Sequence, residues 1–395
     1  MRFWVGLLAV LIIAGVADAH ERSRSNSIWQ ETEAGLTGRI YLEARQATLL
    51  LSLEDSGVSL QSAFQQRLIE GIAVSRGGGV CALQASPQIQ LRPDGRLEGV
   101  GFWACPESGL IEIDVQVFSP LSANHVHFIR LESESHLSEQ VLSRGRTTAR
   151  FGDERHAAPA RWTGFLGLGF EHILAGPDHV AFVIGLILLV TRWRRLALVT
   201  LGFTLGHSLT LALAVIGWVS PPGAAIESLI GFSILFIAAE AALAKRTEFA
   251  IAGWSGGTAL AALAALSALS GGLLAWPVWI SLIVLTLAYF QWLASGGNAQ
   301  TAAPVLSGGF GLVHGVGFAG ILLEIDMSRE ALITSLLAFN IGVELGQLTI
   351  VAGVLILAAI VRLVAPDRIL EYGRAAALAG LAFLGSFWFL GRAFG

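Results

Sequence analysis

The sequence predicts an all-α polytopic membrane bundle of about eight transmembrane helices, preceded by a small exported β-sandwich-like domain. Three observations carry this. The 395-residue chain is 54% hydrophobic and only 14% charged, with a mean hydropathy of +0.66, well above the range of water-soluble domains. Most of the charge lies in 20–156, so the apolar character concentrates in the second half. Residues 1–19 read as a secretory signal, with Arg2, an apolar run from Trp4 to Val16, and small-x-small Ala17-Asp18-Ala19. An uncleaved anchor is the alternative. The net charge of −4 says little, because the charges are unevenly spread, and with no basic surface visible nucleic acid is not expected as a partner.

Residues 20–155 are expected as an exported, periplasmic domain. Arg39–Ala44, Ala47–Leu53, Gly99–Trp103, Leu110–Phe118 and His125–Leu131 alternate or are rich in strand formers. Gly77-Gly78-Gly79 marks a turn, and Gln61–Ile72 fits one short helix. Cys81 and Cys105 are the two cysteines, and export favours a disulfide over a pair of metal-binding thiols. Such a bridge closes a loop of about 25 residues and contributes on the order of 3 kcal/mol. Cleavage after Ala19 would leave His20 first, where a terminal amine and its own imidazole can chelate a metal, or where it is simply the first residue. His125 and His127 are two apart on an expected strand, so they share a face. With His20 they form a candidate exported-side metal-capture site; a polar outer strand face is the plainer reading. Residues 132–161 are polar and lead towards the membrane, with 156–163 as linker and 164–395 as the transmembrane domain.

Apolar spans follow at about 164–191, 196–219, 224–244, two within 249–294, then 304–324, 331–361 and 375–392. With the soluble domain outside, the loops after spans one, three and seven are cytoplasmic. They hold Arg192, Arg194, Arg195, Lys245, Arg246, Arg362, Arg368 and Arg374, whereas the outer loops hold only Arg329. This bias obeys the positive-inside rule with both chain ends outside. Six spans would satisfy it too, if 249–294 did not cross, but hydropathy favours eight.

The membrane half carries polar groups that lipid does not tolerate casually. A charged side chain at mid-bilayer costs at least about 2.5–3.5 kcal/mol. Yet the first span holds Glu171, His172, Asp178 and His179. His172 and His179 are seven apart, about two turns of one helix face. Gly176-Pro177 between them should loosen or kink that helix. His207 stands among Thr204, Ser208 and Thr210 on the second span, and His314 among glycines that permit close helix approach on the sixth. Asn340, Glu344 and Gln347 line one face of the seventh. Imidazoles with carboxylates suit nickel, cobalt, zinc or copper better than magnesium or calcium. His172, Asp178, His179, His207, His314 and Glu344 are therefore the candidate metal ligands. Glu171, Asn340, Gln347, Glu227 and Glu240 are candidate supporting or pathway residues, with Glu227 and Glu240 near opposite membrane interfaces.

Four motifs together resemble the HupE/UreJ family, in its longer branch with an exported N-terminal domain. They are Gly169-Phe170-Glu171-His172-Ile173-Leu174-Ala175-Gly176-Pro177-Asp178-His179, Phe203-Thr204-Leu205-Gly206-His207-Ser208, Gly311-Leu312-Val313-His314-Gly315-Val316-Gly317-Phe318-Ala319 and Phe339-Asn340-Ile341-Gly342-Val343-Glu344-Leu345-Gly346-Gln347. The family's His-x-x-x-Gly-x-Asp-His element matches His172, Gly176, Asp178 and His179. This chain departs from shorter members in placing Pro177 between the Gly and the Asp, with Ile173 where they carry a Pro, and in the apparent insertion of two spans at 249–294. The resemblance implies a permease for nickel or a related divalent metal in the bacterial inner membrane, attached to metalloenzyme maturation, with the lipid bilayer and the metal ion as partners.

The expected function is thus transport of a first-row divalent metal, not enzymatic turnover, with the metal as cargo and no organic cofactor. No Walker loop is visible, so transport is facilitated or ion-coupled. Neutral imidazole binds metal and imidazolium does not, so uptake is expected to fall at low pH. Three rivals remain open at this point: a b-type haem redox protein, an intramembrane metal-dependent hydrolase, and a metal-sensing or accessory membrane protein.

Overall fold

The structure, a computed structural model, describes residues 24–395 apart from 52–57, 94, 119–124, 134–136, 144, 153, 191, 220–222, 244, 324–328 and 365. The expected signal 1–19 and His20 lie outside the described residues. The chain divides into two compact units: Glu21–Leu168 with Met327–Phe339, and Gly169–Asp326 with Asn340–Gly395.

The first unit is β-rich. Its elements are β1 (Arg24–Thr32), β2 (Gly35–Glu43), α1 (Ala44–Leu51), α2 (Leu60–Gly71), β3 (Ile72–Arg76), β4 (Gly79–Val80), β5 (Ala82–Leu83), β6 (Gln88–Leu91), β7 (Arg96–Ala104), β8 (Ile111–Val115), β9 (Val126–Glu132), β10 (Leu137–Ser143) and β11 (Thr148–Phe151). A seven-stranded sheet runs β10-β9-β1-β2-β7-β5, with β6 also on β7; a second sheet runs β11-β8-β3-β4. Trp29, Leu36 and Ile40 of the first sheet, Val74, Ile113 and Phe151 of the second, and Phe64 and Leu68 of α2 share one core. Burying such side chains is the main force joining two half-apolar layers. The expected helix at 61–72 is α2, and four of the five expected strand runs fall on β2, β7, β8 and β9.

Three features differ from expectation. The sequence predicts a strand over Ala47–Leu53, but Ala44–Leu51 is helical, in keeping with the helix propensity of Ala, Gln and Leu; Ala47 is fully buried. Strand β1, Arg-Ser-Asn-Ser-Ile-Trp-Gln-Glu-Thr, carries no apolar alternation in its first half because its inward positions are serines. It nevertheless pairs antiparallel with β2 and parallel with β9. The turn at Gly77-Gly78 has both residues at positive φ, 60° and 92°, as a tight hairpin between β3 and β4 demands. Cys81 and Cys105 form the expected disulfide. The stretch 132–161, expected as polar lead-in, contains β10, β11 and the start of a helix, so the expected linker 156–163 is helical.

The remaining elements are α3 (Glu154–Ala175), α4 (Pro177–Leu189), α5 (Trp193–Val215), α6 (Gly223–Ala242), α7 (Arg246–Ser270), α8 (Trp276–Ala294), α9 (Ala299–Leu323), α10 (Arg329–Val364) and α11 (Asp367–Phe394). Among the described residues six helices are long and apolar enough to cross a membrane: α5, α6, α7, α8 and the greater part of α10 and α11. The bent pair α3–α4 makes a seventh if taken as one span. Residues 249–294 do form two helices, separated at Gly271, which caps α7 at φ +76°, and restarted at Pro277 in the first turn of α8. The expected span 304–324 lies in the 25-residue α9.

Close backbone approach organises this unit. A Cβ at Gly202, Gly206, Gly311 or Gly315 would stand 2.6, 2.1, 2.2 and 2.2 Å from the carbonyl oxygens of Pro304, Gly308, Phe203 and His207, respectively. Helices α5 and α9 therefore touch backbone to backbone, the small-residue packing typical of membrane helices. Gly231 and Gly385 do the same for α6 and α11. Phe182, Phe203, Phe232, Phe236, Phe290 and Phe310 fill the space between helices. Arg374 of α11 donates to the Ala241 carbonyl at 2.6 Å and the Leu188 carbonyl at 3.4 Å, satisfying the last turns of α6 and α4.

Candidate metal centre

The centre begins with a break. Gly176 is extended (φ −85°, ψ 107°) and caps α4, whose first residue is Pro177. A proline cannot continue the preceding helix but suits the start of the next. Trp162–Ala175 and Pro177–Leu189 consequently meet at 72°. On an unbroken helix, residues seven apart are separated by about 10 Å along the axis. The break instead brings the rings of His172 and His179 to 4.5 Å between centroids. The expectation of one helix face with two stacked turns is corrected here: the pair faces itself across a corner.

The corner is crowded by design of its smallest residue. A Cβ on Gly176 would lie 2.7 Å from His179 Nδ1, 3.1 Å from Asp178 Oδ1 and 3.1 Å from the His172 carbonyl. Asp178 and His179 open α4, where the helix dipole favours the aspartate's negative charge. Asp178 Oδ2 sits 3.1 Å from His179 Nδ1. A carboxylate beside one ring nitrogen is a common companion of metal-binding imidazoles.

Two further histidines arrive from the glycine-packed pair. His207 of α5 has its ring 5.9 Å from that of His172, and His314 of α9 has its ring 5.2 Å from that of His179. Ligand atoms of His172, His179 and His207 all lie within 4.8 Å of one another, and all three side chains are buried. Three imidazole nitrogens at that spacing can close on one transition-metal ion with sub-ångström adjustments of each ring. His314 Nδ1–H donates to the Phe310 carbonyl at 2.9 Å, a tautomer that leaves Nε2 as the acceptor nitrogen. Phe182 and Phe203 pack on His314, at 5.1 and 5.0 Å between centroids. They wall the cluster with apolar surface.

The polar face of α10 meets α5 beside the cluster. Asn340 stands beside His207. Glu344 accepts from Thr200 Oγ1 at 3.1 Å and from Thr204 Oγ1 at 2.5 Å. The Gln347 side-chain oxygen lies 3.5 Å from the same Thr204 hydroxyl. Glu344 is thus held by threonines, and it is not among the three residues whose ligand atoms converge. Nothing in the local sequence marks Thr200 or Phe182 as part of a site. Thr200 lies one helical turn before Thr204, and a turn-spacing search around His207 would have found it.

The other candidates lie apart from the cluster. Glu171 is exposed. Glu227 pairs with Arg392 Nε at 2.6 Å. Glu240 is buried and accepts from Tyr289 Oη at 2.5 Å. In the β-rich unit, His125 and His127 face inward and not outward. Ser25 Oγ lies 2.7 Å from His125 Nε2 and 2.7 Å from His127 Nδ1, while Ser27 Oγ lies 2.8 Å from His127 Nε2 and accepts from Trp29 Nε1 at 2.9 Å. Phe118 stacks on both rings. Burial pushes His125 down to about 3, and burial with the neighbouring His125 holds His127 well below the usual imidazole range.

Apolar helices, a broken helix in their midst and a buried imidazole cluster at the break describe a multi-pass membrane protein in which three imidazoles could hold a metal ion. A family model described as HupE / UreJ protein matches residues 150–273 and 247–392, more than half of the chain. The chain belongs to the HupE/UreJ family. No curated protein matches it.

Proposed function

We propose that this protein is a permease for a first-row divalent metal ion, nickel first and cobalt, copper or zinc next, in the bacterial inner membrane with its β-rich domain on the periplasmic side. The observation that carries the reading is the convergence of His172, His179 and His207 within 4.8 Å, buried among membrane-length helices. Lipid selects against such groups unless they are used. The metal is cargo. His172, His179 and His207 hold it, and His314 offers Nε2 from the next position along α9. Asp178 orients His179 and supplies negative charge. Asn340 stands beside the ring of His207, and Glu344 with Gln347 follows on the same helix as the next polar group on the path.

Inward movement is the default direction, with His20 and the β-rich domain as the capture side. The histidines of that domain, His125 and His127, are occupied by serines and would have to leave Ser25 to take a metal.

The test is cellular metal content across nickel, cobalt, copper, zinc, manganese and iron, with the native chain, His172→Ala and His179→Ala. Selective accumulation of one metal, lost in both variants, is expected. Unchanged content of every metal, with the protein folded in the membrane, would overturn the reading.

A further inference from the structure

Glu240 is an acid that metal binding does not use. It lies on α6, is 1% exposed, and belongs to a set of helices long and apolar enough to cross a membrane. One carboxyl oxygen, Oε1, accepts from Tyr289 Oη. The other, Oε2, has no hydrogen-bond partner among the described residues. A carboxylate anion in such surroundings would keep a full charge against a single neutral donor, and the desolvation cost far exceeds what one hydrogen bond returns. The same carboxyl with a proton on Oε2 leaves no charge to solvate. Tyr289 keeps its phenolic hydrogen in either form and donates it to Oε1.

Among the described residues no cation is paired with that oxygen. From α11 comes Arg374, but its guanidinium is engaged with the Ala241 and Leu188 carbonyls. The titratable residues of α4, Asp178 and His179, stand at the opposite end of that helix from Leu188. The titratable residue of α9, His314, belongs to the histidine cluster. Between Glu240 and that cluster lie aromatic rings: Phe236, one turn before Glu240, packs on Tyr289 at 5.3 Å and Phe310 at 5.8 Å, and Phe310 packs on Phe182 at 6.0 Å.

We propose that Glu240 and Tyr289 form a proton-binding site, separate from the histidine cluster and loaded with a proton in the conformation described here. When helix movement lets water reach Oε2, the O–H bond breaks. The proton passes to water and the electron pair stays on the carboxylate, which Tyr289 and the incoming water then solvate. Its use, to couple proton movement to metal passage, rests on the permease reading; the protonation itself does not.

Infrared spectroscopy of the purified full chain tests the protonation. At neutral pH the carboxylic acid C=O stretch of the native protein minus that of Glu240→Gln is expected to show a positive band, shifted in Tyr289→Phe through loss of the phenol hydrogen bond. A difference showing only carboxylate stretches would overturn the proposal. If Glu240→Gln does not fold, the band shift between native protein and Tyr289→Phe decides alone. Proteoliposomes carrying a pH dye and loaded with a nickel gradient test the coupling. Native vesicles are expected to move protons as nickel enters, and Glu240→Gln vesicles to lose that proton signal. Nickel entry without proton movement overturns the coupling and leaves the permease. No nickel entry with the infrared band present overturns the permease and leaves the proton site.

Discussion

At Gly176 a methyl group would meet three site atoms at once, at 2.7 to 3.1 Å. None of these is the free end of a flexible chain: one is a backbone carbonyl and two belong to buried side chains. Gly176→Ala is therefore expected to push His179 off its position and to weaken metal accumulation while the protein still inserts; normal accumulation in this variant would show that the corner is looser than described. Asp178→Asn tests orientation. The amide keeps the shape but loses the charge that directs His179 Nδ1. Such partners are worth about 10–100-fold in metal affinity, so isothermal titration of nickel into the purified chain is expected to show a loss of that order, with the stoichiometry unchanged.

The α5–α9 pair is the element on which the cluster depends. His207 and His314 are brought together because Gly206, Gly311 and Gly315 let the two backbones touch, and Gly315 lies directly against the His207 carbonyl. A methyl there has no room, and overpacking of this kind costs about 1–3 kcal/mol. Gly311→Ala and Gly315→Ala are expected to lower the thermal stability of the solubilised protein and to weaken metal binding together. A Gly309→Ala control, where a Cβ meets nothing within 4 Å, is expected to change neither. Loss of binding in the control would show that the effect is not one of helix contact.

Of the two units of the whole molecule, the β-rich one carries a response to acid. In the β-rich unit the folded pKa of His125 is lowered to about 3 and that of His127 lies lower than normal too. An unfolded imidazole titrates near about 6.5. Between these values the unfolded chain binds more protons than the folded one, so stability is full above about pH 6.5 and is lost as pH falls below it. The slope is about 1.4 kcal/mol per pH unit for each histidine. Denaturant unfolding followed by near-ultraviolet dichroism, to which the buried Trp29 and Trp103 pair contributes, is expected to show this decline, and His125→Asn to make it shallower. A midpoint flat from pH 7 to 4 would contradict the buried, serine-bound state of these rings.

Much was legible in the residues themselves. Hydropathy disclosed most of the membrane helices because a helix facing lipid must be apolar along its length. The same cost made His172, Asp178, His179, His207 and His314 conspicuous. Gly-rich runs announced the close helix pair, and the spacing of Asn340, Glu344 and Gln347 announced a polar face. Strand β1 was hidden, since its serines are buried by hydrogen bonding to histidines that are distant in sequence. Helix α1 was read as strand because a short apolar run carries no period that separates the two states. The sequence alone determined a β-rich domain, a helical membrane half and which ionisable groups lipid would not hold idly. Only tertiary structure decided that His172 and His179 meet across a 72° corner, that Glu344 is held by threonines, and that Glu240 is closed in with Tyr289. Each of these depends on contacts between helices, and those contacts are set by packing of backbones and rings far apart in the chain, which no local pattern records.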